Sequence, residues 1–230
     1  MRPVTLATIP FAVDLQSLAV RVHLRPEKVQ SGDFEKMLLE AQSVARPKAC
    51  YRIAYIEHKD SDTVILDKIP FTSRVLRVNL KNAQRVFVFA ATCGTELEEW
   101  SHTYRELLQQ YWADAIKEAA LDCAYQFLLD HLEKEHRPGN LSEISPGSIE
   151  DFPISQQTAL FRLLGDTQRN IGVTLTESLL MLPIKSISGI LFPTEERFES
   201  CQLCPRPVCP GRRAPFDPTL YKRKYQVTTS

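Results

Sequence analysis

No charge of one sign dominates this chain, no apolar run is long enough to cross a bilayer, and the signature motifs of several large enzyme classes are missing. Lys plus Arg equals Asp plus Glu at 28 each, so no global field draws the chain to a phosphate backbone or an anionic membrane. Neither nucleic acid nor a membrane is an expected partner. No stretch approaches the ~18 consecutive apolar residues of a spanning helix. Met1 to Val13 carries one Arg and an apolar patch interrupted by Pro3 and Pro10, with Asp14 close behind, so it lacks the h-region of a secretory signal. A cytoplasmic setting is expected, in which cysteines stay reduced and serve as ligands, redox groups or core fillers. G-x-G-x-x-G and G-x-x-x-x-G-K-[ST] are absent, which removes dinucleotide and P-loop readings. His23, His58, His102, His131 and His136 form no H-E-x-x-H and pair with no G-x-S-x-G serine, so hydrolase chemistry has no support.

What is present suits a water-soluble globular protein: 230 residues, 43% hydrophobic and 24% charged. Ten of the fifteen prolines follow Arg137, so regular structure is expected mainly before that point. No repeat or clean linker is visible, and one domain over 1–230 is predicted. Its three stretches are 1–137 (helices, a small sheet and a long helix), 138–192 (a turn, a short helix and a hairpin) and 193–230 (a Cys/Pro/Arg-rich tail).

Apolar spacing predicts short helices over 14–24 and 33–45. Residues 50–57 and 62–67 read as a β-hairpin, and Arg85 to Ala91 as a buried strand. That strand runs into Thr92-Cys93-Gly94 and then Thr95 to Glu98, a predicted capping box in which Thr95 and Glu98 satisfy amides at a helix start. Leu97, Trp100, Tyr104, Leu107, Tyr111, Ala115, Ala119, Cys123 and Phe127 step by three or four, predicting one long helix to about Leu132. Arg137-Pro138-Gly139 ends it, and a second turn is expected at Ser145 to Ser148. A short helix capped by Ser155 and closed by Gly165 follows. Val173 to Leu182 and Ser186 to Phe192 are then two strands about a Pro183-Ile184-Lys185 hairpin. The class is α+β: a single elongated domain, with a twisted antiparallel sheet packed with a long helix.

The most specific local chemistry is Cys201-x2-Cys204 followed, after four intervening residues, by Cys209, because C-x2-C lets one tetrahedral metal or iron–sulfur cluster take both thiolates. A closed zinc site needs a fourth ligand, with Cys93 or a histidine as candidates. Cys93 precedes a helix N-terminus whose dipole favours a thiolate, making it a ligand, a reactive thiol or a buried strand-end residue. Cys50 and Cys123 read as core positions. The last 30 residues hold six basic groups (Arg206, Arg212, Arg213, Lys222, Arg223, Lys224) against one acid, Asp217, so a basic face is expected there. Glu96, Glu98 and Glu99 sit in a first helical turn, which explains them as dipole and cap partners in place of an acid/base set.

Pro146-Gly147, then Pro153, then the run from Gly172 through Leu175-Thr176-Glu177-Ser178, Met181, Pro183, Ser186, Ser188 and Gly189 to Phe192, resembles the S-adenosylmethionine-binding activation domain of cobalamin-dependent methionine synthase. The strand into Ala90 to Gly94 and the following helix resemble free-standing members of that family. The resemblance implies an activation domain-like fold and a stand-alone reactivation subunit for a cobalamin-dependent methionine synthase or another corrinoid methyltransferase. In that role S-adenosylmethionine supplies a methyl group while an external electron donor reduces cob(II)alamin carried by the partner. It further implies ligand contacts at Pro146, Gly147, Ser148, Glu177, Ser178, Ser186, Ser188, Gly189 and Phe198. An Arg and a Tyr of the family turn fall here on Glu143 and Ser148, so two expected contacts are replaced. Cys201, Cys204, Cys209 and Cys93 are the candidate zinc or iron–sulfur ligands, a cluster passing the electron to cobalt. The alternative expectation is a non-catalytic metal-binding protein that docks on a corrinoid protein without S-adenosylmethionine.

Overall fold

The computed structural model describes residues 2–24, 32–209 and 211–226. Strand β1 (Val4–Leu6) leads to two short helices, α1 (Leu15–Arg21) and α2 (Asp33–Val44). Asp14 starts α1 by accepting the Ser17 backbone N–H at 2.8 Å. Strands β2 (Lys48–Lys59), β3 (Thr63–Leu66) and β4 (Ile69–Thr72) follow, then helix α3 (Arg74–Asn79) and strand β5 (Arg85–Thr92). Helices α4 (Thr95–Ser101) and α5 (Leu107–His136) come next, then β6 (Leu141–Ile144), α6 (Gln157–Leu164), α7 (Thr167–Ile171), and β7 (Thr174–Leu175), β8 (Met181–Leu182) and β9 (Ser186–Pro193). Among the described residues no helix is long and apolar enough to cross a membrane.

The main sheet is antiparallel, in the order β4-β3-β2-β5-β9-β6, with β1 paired to the start of β2. Pro70 fits β4 because β4 lies at an edge, where a missing N–H costs no ladder bond. Alternation along β5 explains why the sheet is buried on both faces. Val86, Val88 and Ala90 point into one core with α6, α7, α3 and the C-terminal residues Phe198, Leu220 and Tyr225. Phe87, Phe89 and Ala91 point into another, covered by Leu121, Ala124, Leu128 and Leu132 of α5. A third cluster joins α1, α2, α4 and the start of α5, with Cys93 inside it.

Five expectations are corrected. The single helix from Thr95 is two helices, because Ser101 and Thr103 turn their hydroxyls onto the carbonyls of Glu98 and Trp100, and His102 and Thr103 close tight turns that stop α4. The buried residues of α5 include Trp112, Ala113, Ile116, Ala120, Ala124 and Leu128, and of the expected stripe Ala119 is buried whereas Leu107 is 85% exposed and Tyr111 is also exposed. The Thr95–Glu98 capping box does not form: Gly94 is the N-cap, Thr95 donates to Glu96, and Glu98 pairs with Lys117 at 3.2 Å. Ser155 does not cap α6, which grows from a 3-10 turn over Ile154–Gln156. Finally, Val173 to Leu182 is not one strand paired with β9. It folds on itself as the β7–β8 hairpin, and β9 inserts between β5 and β6, where its alternating apolar residues reach both cores.

Candidate ligand-binding site

Strand β6 delivers the chain into a tight turn at Ser145-Pro146-Gly147-Ser148. The Ser148 N–H donates to the Ser145 carbonyl at 3.0 Å, and Gly147 holds φ +83°. Pro at the second position and a positive φ at the third define a type II turn, which is why Gly follows Pro here. Gly147 N–H also donates to the Phe152 carbonyl at 2.7 Å, which closes the loop onto itself. In β9, a Cβ on Gly189 would lie 2.6 Å from Ser145 Oγ and 3.0 Å from the Ile144 carbonyl oxygen, so only glycine lets β9 pack this closely under the turn. Ser188, its neighbour on the opposite face, is buried with its hydroxyl unpartnered.

A cleft of about 380 Å³ opens beside β6, between α5 and Arg197, Phe198, Glu199 and Arg213 of the returning C-terminal segment. Glu143 is among the residues that line it. Its carboxylate accepts hydrogen bonds from the Tyr125 hydroxyl and, at 3.1 Å, from the Ser145 hydroxyl. Burial, with the Glu143 charge second, pushes the Tyr125 phenol far up, so it remains a neutral donor. Arg213 lies 3.9 Å from Glu143 and 2.9 Å from Glu199. Burial works against its charge, but Glu143 and Glu199 outweigh that and raise its pKa further.

Residues 147–200 match the family model described as the vitamin B12 dependent methionine synthase activation domain. Among solved structures, a crystal structure of the MetH reactivation domain bound to AdoHcy matches with a TM-score of 0.60 at 11% identity, covering 86% of this chain and 80% of that one. The fold is that of the methionine synthase reactivation domain. No curated protein matches the sequence.

Within this reactivation-domain fold the expected contact residues do not form one cluster. Pro146, Gly147, Ser148 and Gly189 meet at the turn. Glu177 and Ser178 are exposed at the tip of the β7–β8 hairpin, where Ser178 bonds Thr176 at 3.0 Å. Ser186 is buried and hydrogen-bonded to Thr92 at 2.9 Å and to the Pro183 carbonyl at 2.7 Å. Phe198 packs its ring into the core, and its backbone N–H donates to Ser142 Oγ at 2.8 Å, which fixes the edge of the cleft. Tyr125 and Glu199 carry no motif. They lie 18 and 56 residues from Glu143, and only the fold brings them to it.

Among the described residues no three His, Cys, Asp or Glu side chains converge as a metal-ligating group. Cys93 is fully buried in the helical core, and burial pushes its thiol up to about 12, overriding the helix dipole expected to favour a thiolate. Its thiol is therefore held protonated inside the helical core. Cys201, Cys204 and Cys209 are half-buried in a loop held by the Arg212 guanidinium, which donates to the carbonyls of Cys201 (3.2 Å), Cys204 (3.4 Å), Ala214 (3.4 Å) and Arg206. The Arg213 backbone N–H points at Cys201 Sγ at 3.5 Å. An arginine thus organises the segment that the C-x2-C spacing assigned to a metal.

Proposed function

We propose that this chain is a reactivation module for a cobalamin-dependent methionine synthase or another corrinoid methyltransferase, and that it binds S-adenosylmethionine beside the Pro146-Gly147 turn. The observation that carries the reading is the coincidence of two comparisons on one segment. The family match at 147–200 contains the turn glycine, β9 and the Phe198 edge of the cleft, and the fold match is to a domain whose printed title names AdoHcy, the demethylated form of S-adenosylmethionine. In such a reaction an external donor reduces cob(II)alamin by one electron, and transfer of the sulfonium methyl to cobalt drains the reduced form. The task asks the protein to bind and position the sulfonium; it needs no acid or base. This agrees with the first-turn carboxylates being otherwise engaged, Glu96 with Lys48 at 2.8 Å and Glu98 with Lys117.

Calorimetric titration with S-adenosylmethionine tests the reading. Saturable binding is expected, with a rise in Tm corresponding to about 2.7 kcal/mol of added stability at one hundred times Kd. Addition to a cob(II)alamin-loaded corrinoid methyltransferase with a reductant should then produce the methylcobalamin absorption spectrum. Absence of both binding and thermal shift overturns the proposal.

A further inference from the structure

Glu143 and Glu199 are only 17% and 15% exposed, yet both direct carboxylates at the same cleft. Two carboxylates held this close out of water demand a cation. Arg197 meets Glu199 at 2.9 Å from the exposed rim, and Arg213, which reaches both carboxylates, comes from the C-terminal segment, beyond the residues that match the family model. The engagement of Arg213 is one-sided. Nε sits 2.9 Å from Glu199, while the approach of a terminal guanidinium nitrogen to Glu143, at 3.9 Å, is too long for a hydrogen bond. The two-pronged edge of a guanidinium in this position matches a carboxylate in geometry and charge. Beside it Glu143, already taking the Tyr125 and Ser145 hydroxyls, offers an anionic surface to an ammonium group. A positive fork next to a negative carboxylate, in a cleft also lined by Leu129, Leu141 and Leu191, suits a zwitterion that carries an apolar body.

We propose that Arg213, with Glu143 and Glu199, binds the α-amino-acid end of the ligand: the carboxylate on the Arg213 fork and the ammonium against Glu143. The inference rests on the reading that the ligand is an S-adenosyl compound. The C-terminal segment then completes the site, and a position occupied by an acid on β6 is served by a guanidinium reaching it from 70 residues further along the chain.

Two probes separate this from its parent reading. S-adenosylhomocysteine carries the amino-acid end, and 5′-methylthioadenosine keeps the adenosyl group and sulfur but lacks that end. The wild-type protein should bind the first more tightly. Arg213→Gln should lose about 10- to 100-fold in affinity for S-adenosylhomocysteine, as expected for a charged hydrogen bond. It should leave methylthioadenosine binding unchanged. Arg213→Lys keeps the charge against Glu199 while removing the fork, and should lose affinity for the same ligand only; Arg206→Gln, on the exposed part of the segment, should bind both probes like wild type. If Arg213→Gln and Arg213→Lys bind both probes normally, or weaken both alike, the clamp is wrong while the S-adenosyl reading stands. Binding of neither probe by the wild-type protein overturns both.

Discussion

Cys93 illustrates how burial and a local dipole compete for one proton. Its place before α4 puts it at a positive helix end, which lowers a thiol's pKa, but full burial in the helical cluster removes the water that a thiolate needs, and desolvation wins. Cys50 follows the same logic between β2 and β5, its thiol also pushed up to about 12. Chemical labelling checks this. A thiol reagent applied to the native protein at pH 8 should modify no more than four of the six cysteines, with Cys201, Cys204 and Cys209 among them, and should reach Cys50 and Cys93 only after denaturation. Modification of Cys93 in native protein would show that its burial is wrong. The unpartnered Ser188 hydroxyl and the close approach at Gly189 are of the same kind, since each depends on what stands across the strand and neither is marked by neighbours in sequence.

Helix α5 shows why a regular pattern misled. Its apolar residues are distributed around much of the cylinder, because one end packs against α1, α2 and α4 while the other covers the sheet through Leu121, Leu128 and Leu132. Two partners in different directions require two buried faces, and a single stripe drawn through both takes in the buried Leu97 and Ala119 together with the exposed Leu107 and Tyr111. The two candidate faces make opposite predictions. Leu128→Ala, at a fully buried position, should cost about 2–5 kcal/mol, read from the denaturant midpoint. Leu107→Ala, at the exposed start of the helix, should fall within about 0.5 kcal/mol of wild type. The reverse order would restore the stripe predicted from spacing alone.

The C-terminal segment is what joins the fold to the candidate site. It leaves β9, lends Phe198 to the core, passes Arg213 over Glu143, and ends with Tyr225 buried against α3, where Arg74 Nε donates to the Tyr225 carbonyl at 3.0 Å and Tyr225 donates to Asn79 at 3.4 Å. Anchored at both ends, it forms one wall of the cleft. Tyr225→Ala should therefore act at a distance. A loss of about 3–5 kcal/mol in stability is expected from the emptied core position. S-adenosylhomocysteine binding should also weaken, although Tyr225 does not line the cleft beside Glu143. Unchanged ligand affinity in the folded variant would mean that the wall holds without its terminal anchor.

Much of this architecture was legible from order and local chemistry. Strands β2, β3, β5 and β9, helices α1 and α2, and the Pro146-Gly147 turn all follow from alternation, apolar spacing and the φ preferences of Pro and Gly, which act over a few residues. The resemblance of 146–192 to the activation domain was likewise readable, because its motif is a continuous run. Tertiary structure alone decided which face of α5 is buried, that β9 lies between β5 and β6, that the cysteine loop is organised by Arg212, and that Arg213 faces Glu143. Each of these depends on contacts between segments distant in sequence, whose energies come from burial and charge in three dimensions and leave no periodic trace along the chain.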